Sequence, residues 1–152
     1  MKKVFLIFSF IFLTFTSAAF AQKTVEPQIQ RDPILEADAL HNLDVSRQYF
    51  KLKKAYKAVK MRLEETLAAN PNFSKMDEVL YLLGMSNFYL SESKGKQQID
   101  LTKATEDEKR IYAPENLRSE AVTYLSQLVE QHPNSKFKSE AEKTLKLLKA
   151  KR

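Results

Sequence analysis

The chain has 152 residues, a formal net charge of +6 and no cysteine, which is the length of one domain whose stability owes nothing to disulfides. Lys and Glu are interspersed, which argues against a nucleic-acid surface, where basic residues cluster with stacking aromatics. Only two glycines, Gly84 and Gly95, and five prolines stand among many Leu, Lys, Glu and Ala, so helix is expected throughout and a phosphate-cradling glycine loop is not.

The N-terminus reads as an export signal. Lys2 and Lys3 precede an apolar run from Val4 to Phe15, and Ala19-Phe20-Ala21 supplies the small-x-small pattern of a cleavage site. Residues 1–21 are expected to be removed before Gln22, with an uncleaved anchor as the alternative. Residues 22–33, QKTVEPQIQRDP, are polar with two prolines and read as an extended leader. Asp32 can cap a first helix that has Pro33 at its first position.

Five main helices follow. Leu40, Leu43, Arg47 and Phe50 share one face, with Arg47 as its polar interruption. KLKKAYKAV turns the chain into a second helix, whose face is Tyr56, Val59, Leu63 and Leu67 and whose end is Asn70-Pro71. Lys51, Lys53, Lys54, Lys57 and Lys60 read as a solvated face, with an acidic partner or an anionic lipid surface as the alternative. The third helix, about Lys75 to Glu92, is apolar on all sides and is therefore expected to be central. Gly84 within it reads as a close approach between helices, and Ser74 as its cap. Asn72-Phe73-Ser74 also fits a glycosylation sequon, but its place at this helix start gives it a structural reading. Asn87 would hydrogen-bond to neighbouring backbone or contact a bound peptide. Polar residues 93–113 break the pattern, and Thr105 with Glu108 resembles a capping box for a short helix from Glu106. A fourth helix from Pro114 buries Leu117, Ala121, Leu125 and Leu128 and ends at His132-Pro133. The fifth, from about Ser135, buries Phe137, Ala141, Leu145 and Leu148.

Helix pairs that end in proline suggest a tetratricopeptide repeat. In the first unit Leu43, Phe50, Val59, Leu63 and Pro71 fall on that pattern, with Arg47 where glycine is preferred. In the second unit Leu80, Leu83, Gly84, Ala121, Leu125 and Pro133 do so, with Asn87 where an aromatic is expected. Pro71 and Pro133 are about 62 residues apart, whereas one unit has a period of about 34, so about 28 residues interrupt the second repeat. The fold expected is all-α, a tetratricopeptide-like right-handed stack of about five helices. It would comprise two and a half repeats over residues 34–152, with an insert at 93–113.

NPNFSKMDEVLYLLGMSN, the insert, and RSEAVTYLSQLVEQHPNSKFKSEAEKTLKLLK resemble the C-terminal part of the BamD family. These are tetratricopeptide lipoproteins of the outer-membrane β-barrel assembly machinery. The resemblance runs from about Leu40 to Lys151, and Gly84 to Asn87 and Pro133 to Phe137 carry it. It implies an exported, periplasmic, non-enzymatic scaffold at the outer membrane that binds a protein partner. The family's lipid-bearing cysteine has no counterpart here, so the chain is expected not to be lipidated. Partner contacts are expected at Tyr49, Tyr81, Met85 and Asn87, on the first helices of the units.

Two other functions stand as alternatives, the first by similarity of fold to another repeat family and the second from the basic residues. One is a periplasmic adaptor of the Tol-Pal and cell-division system, and the other a binder of anionic lipid through the Lys51–Lys60 stripe and KLLKAKR. No catalytic, cofactor or metal site is expected. His41 and His132 lie far apart, His132 suits a helix C-terminus, and the carboxylate runs Glu64-Glu65 and Glu106-Asp107-Glu108 look uniformly solvated.

Overall fold

The computed structural model describes residues 31–97 and 99–150. The expected signal segment 1–21, most of the leader and Lys151-Arg152 lie outside the described residues. Six α-helices follow in order: α1 (Pro33–Gln48), α2 (Tyr56–Ala69), α3 (Met76–Ser91), α4 (Glu106–Ile111), α5 (Pro114–Gln131) and α6 (Lys138–Ala150). No strand occurs among the described residues.

Local chemistry sets most of the boundaries. Asp32 Oδ1 accepts from the backbone N–H of Ile34 at 2.8 Å, and Pro33 fills the first helical position, where no donor is needed. The capping box at α4 is complete: Glu108 N–H donates to Thr105 Oγ1, and Thr105 N–H donates to the Glu108 carboxylate. Ser74 does not cap α3. Lys75 precedes that helix without a side-chain cap, and the Ser74 N–H donates instead to the Glu36 carboxylate on α1.

One local feature had no sequence signal. Residues Tyr49–Lys53 continue α1 as a π-turn, and Lys54 then takes the left-handed conformation at φ 49°. The extra residue of a π-turn re-aims the chain end. Ala55 N–H closes it onto the Tyr49 carbonyl at 3.0 Å, and α2 begins. Gly95, at φ 111°, sits against this corner, where a Cβ would lie 2.7 Å from the Lys54 carbonyl oxygen. Lys96 N–H donates to that same oxygen at 3.0 Å. Loop 92–97 is therefore tied to the α1–α2 corner, and glycine is required at the tie.

The core is built around α3. Thirteen of its sixteen residues are buried, from Met76 to Ser91, so neighbours must cover it on every side. Its main neighbours are α5 and α2, with α1 at the edge. Helix α6 packs on α5 and reaches α3 through Phe137, which stacks on Tyr81 with ring centroids 4.5 Å apart. The pairs α1/α2 and α3/α5, followed by α6 alone, form the two and a half hairpins that the proline spacing implies. Residues 92–113 leave the stack between α3 and α5. Ile99, Leu101 and Tyr112 then return to cover Leu90, Tyr56 and Leu117 in a second, smaller apolar cluster.

Two contacts lock the layers together. At Gly84 a Cβ would fall 2.5 Å from Leu125 Cγ, so α3 and α5 meet backbone to side chain. Lys60 on α2 is 1% exposed, and its Nζ donates to Glu64 and to Glu120 of α5, each at 2.5 Å. Lys60 is thus not part of the solvated lysine face read from the sequence. A buried ammonium is tolerable only when paired, and the two carboxylates, each about one third exposed, keep their own hydration.

Gly84→Ala is expected to lower stability even though alanine favours helix by about 1 kcal/mol, because overpacking costs typically 1–3 kcal/mol. Adding Leu125→Ala should recover part of the loss in a double-mutant cycle; strict additivity in urea unfolding would place Gly84 away from the crossing. For the buried lysine, the double change Glu64→Gln with Glu120→Gln should cost about 2 kcal/mol by stranding Lys60, whereas Lys60→Met should be close to neutral. Equal losses for the two variants in thermal unfolding would contradict this.

Candidate partner-binding site

The sequence places four candidate contact residues on the first helices, and the fold treats them unequally. Tyr49, at the end of α1, is half-buried with the Lys53 ammonium 4.7 Å from its ring centre. Tyr81 and Met85, one turn apart on α3, are buried beneath α6: Phe137 stacks on Tyr81, and Thr144 Oγ1 lies 3.5 Å from Met85 Sδ. Asn87 is fully buried, and neither of its amide atoms meets a hydrogen-bond partner among the described residues. The expected bond from Asn87 to neighbouring backbone does not form. In this arrangement Tyr49 is the one of the four with a substantial accessible surface.

What the fold brings together instead is a strip of aromatic rings across three helices. Phe50 ends α1, and its ring lies 5.9 Å from that of Tyr89 on α3. Tyr89 also packs on Tyr56 at 4.8 Å and on its neighbour Phe88 at 5.6 Å. Tyr81 continues the strip along α3 to Phe137 at the entry to α6. The exposed Glu140 carboxylate of α6 acts electrostatically on both Tyr81 and Tyr89. At the other end the Lys94 ammonium lies 5.9 Å from the Tyr89 ring centre, in reach of its π-face. Tyr49, Tyr89 and Phe137 keep part of their rings accessible. Large aromatic rings flanked by the ammoniums of Lys53, Lys94 and Lys136 and by the Glu140 carboxylate suit contact with another chain.

Arg47 closes the inner edge of this region. The sequence shows it only as a polar residue on an apolar face. In the structure its guanidinium grips Glu78 of α3 through Nε at 2.6 Å and Nη2 at 2.5 Å and also reaches Asp44. The bond to Glu78 raises its pKa further above an already high value, against the opposing effect of burial. This two-pronged bond is the strongest geometry for an arginine and a carboxylate, and it fixes α1 on α3.

No group of three or more His, Cys, Asp or Glu side chains is arranged to hold a metal ion among the described residues. His132 caps the end of α5 and lines a polar cleft of about 380 Å³ with Ser74, Asp77 and Ser135. His41 is exposed on α1. A second cleft of about 350 Å³ lies where the insert meets the stack, between Leu90, Lys94, Ile99, Leu101 and Tyr112. No described helix is long and apolar enough to cross a membrane.

The sequence pattern of one protein family, YfiO, described as outer membrane lipoprotein, matches residues 16–151. That match starts upstream of Leu40, where the resemblance noted above begins. No curated protein and no solved structure matches the chain.

The tyrosines of this region share a response to pH. Burial raises the phenols of Tyr56, Tyr81, Tyr89 and Tyr112 above the ordinary value of 10.0, and Tyr124, half-buried beside Glu64 and Glu120, is pushed up to about 12 by desolvation and those carboxylates. An acid whose folded pKa is raised adds stability that is complete below the unfolded value and lost as pH climbs toward the folded one. Melting temperature should therefore fall steadily above pH 10, with the phenolate absorbance of these five tyrosines appearing together with unfolding; their ionisation without loss of structure would contradict the packing described.

Proposed function

Because the chain belongs to the YfiO family of outer membrane lipoproteins, we propose that it is a non-enzymatic periplasmic scaffold. It binds a protein partner in outer-membrane β-barrel assembly, in the manner of BamD, and corresponds to that family's C-terminal part. The observation that carries the reading is the family match over residues 16–151. The all-helical stack supports it, since stacked helix pairs present extended surfaces to other proteins. So does the accessible aromatic strip with its lysine and glutamate flanks.

In this proposal Tyr49, together with Tyr89 and Phe137, is the contact surface. Tyr81, Met85 and Asn87 support that surface from below and meet a partner directly only where α6 is displaced.

A photo-reactive amino acid at position 49 or 89 should crosslink, in intact cell envelopes, to a subunit of the β-barrel assembly machinery. The same residue at Leu147, exposed on the outer side of α6, should not. Recovery of no such subunit from either inner position, or equal recovery from position 147, would overturn the proposal.

A further inference from the structure

The α1–α2 corner presents an unusual surface. The π-turn carries Lys51, Leu52 and Lys53, and Lys54 follows; all four side chains are exposed. Loop 92–97 brings Lys94 and Lys96 to the same corner through the bond from Lys96 N–H to the Lys54 carbonyl and the close packing of Gly95. Five lysines thus meet at one site from two separated stretches of chain. Among the described residues none of the five has a salt bridge, while Lys57 pairs with Glu108 and Lys60 with Glu64 and Glu120. The neighbouring Glu92 is engaged by Arg118 at 3.6 Å. Within the cationic ring Leu52 is 75% exposed, the highest exposure among the large apolar side chains of the described residues.

We propose that this corner is a docking site for an anionic lipid surface. Lys51, Lys53, Lys54, Lys94 and Lys96 would meet the phosphates, and Leu52 would enter the headgroup layer. The set differs from the lysine stripe visible in the sequence: Lys57 and Lys60 drop out because they are paired, and Lys94 and Lys96 join because of the fold. Each unpaired lysine near an anionic membrane contributes about a fivefold gain in binding, and clusters of four to eight are the usual requirement. An exposed leucine among lysines favours a lipid layer over an acidic protein groove, because a bilayer surface yields to an apolar side chain while keeping phosphates around it. Two weak signals, charge and one apolar insertion, are what reversible attachment needs. This inference does not depend on the protein-partner reading, although Lys53 and Lys94 also flank the aromatic strip.

The absence of cysteine allows a clean test on the full chain. Leu52→Cys carries an environment-sensitive fluorophore, and Leu147→Cys carries the same probe as the control on α6. Vesicles of phosphatidylcholine with phosphatidylglycerol should blue-shift the probe at 52 but not at 147, and vesicles of phosphatidylcholine alone should shift neither. Raising the salt to about 1 M, which shortens the screening length to about 3 Å, should reverse the shift. Combining Lys51→Gln, Lys94→Gln and Lys96→Gln should weaken the response about 100-fold in lipid concentration, with the circular dichroism melt unchanged. Four results would overturn the proposal: no shift at 52, an equal shift at 147, an equal shift with neutral vesicles, or a response that the triple substitution leaves intact. A shift at 52 with poly-glutamate but not with vesicles would overturn it too, in favour of an acidic polypeptide.

Discussion

The structure depends on the need to cover α3 on every side. A helix with apolar residues around its whole circumference is unstable in water unless other helices take each face. Helices α2 and α5 take the two largest faces, α1 the edge, and α6 the remainder through Phe137 and Thr144. Gly84 lets α5 come close enough to seal its side. Residues 92–113 can leave the stack because the contact between α3 and α5 is set by that crossing rather than by a short connection. A long loop adds only a modest entropic cost of closure.

Covering α3 also decides which residues remain for a partner. Tyr81 and Met85 occupy the positions where a repeat protein of this type would offer an inner surface, but α6 lies over them. The proposed contact surface is therefore the rim, where Tyr49, Tyr89 and Phe137 are only partly covered. Three polar contacts tie one element of the stack to another: Arg47 to Glu78, Lys60 to Glu120, and Ser135 Oγ to Asp77 at 2.7 Å. These pairs do little for hydrophobic burial. They fix which helix lies beside which, as buried charge pairs can do when each member is satisfied.

Much of the fold was legible in the sequence because its signals are local. Prolines, the Thr105–Glu108 box, Asp32-Pro33 and the faces at helical spacing mark the helices to within a few residues of where they lie. The interval between Pro71 and Pro133, longer than one repeat, was enough to place the insert. The candidate site was less legible because burial of a given residue depends on distant chain. Lys60 looks like its neighbours Lys57 and Lys54 until Glu120 arrives from α5. Tyr81 and Met85 look like a binding face until α6 closes over them. The corner that joins Lys54 to Lys96 needs a π-turn, a left-handed lysine and a glycine of positive φ together. The sequence showed KLKKAYKAV as a turn and Gly95 as a break in the pattern, but not that the two meet. For Asn87, buried with no partner among the described residues, no physical account follows from its sequence position or from its surroundings.

Helix α3 and the buried face of α6, closed over Tyr81 and Met85, belong to one core, and we claim that this core opens cooperatively. Native-state amide hydrogen exchange measures this directly, since elements that open together exchange with the same free energy. The amides of α6 from Ala141 to Leu148 should be as protected as those of α3 from Leu80 to Met85, and both should exchange only with global unfolding. If α6 instead exchanged far faster than α3 as a separate unit, Tyr81 and Met85 would be transiently open surface, and the claim would be wrong.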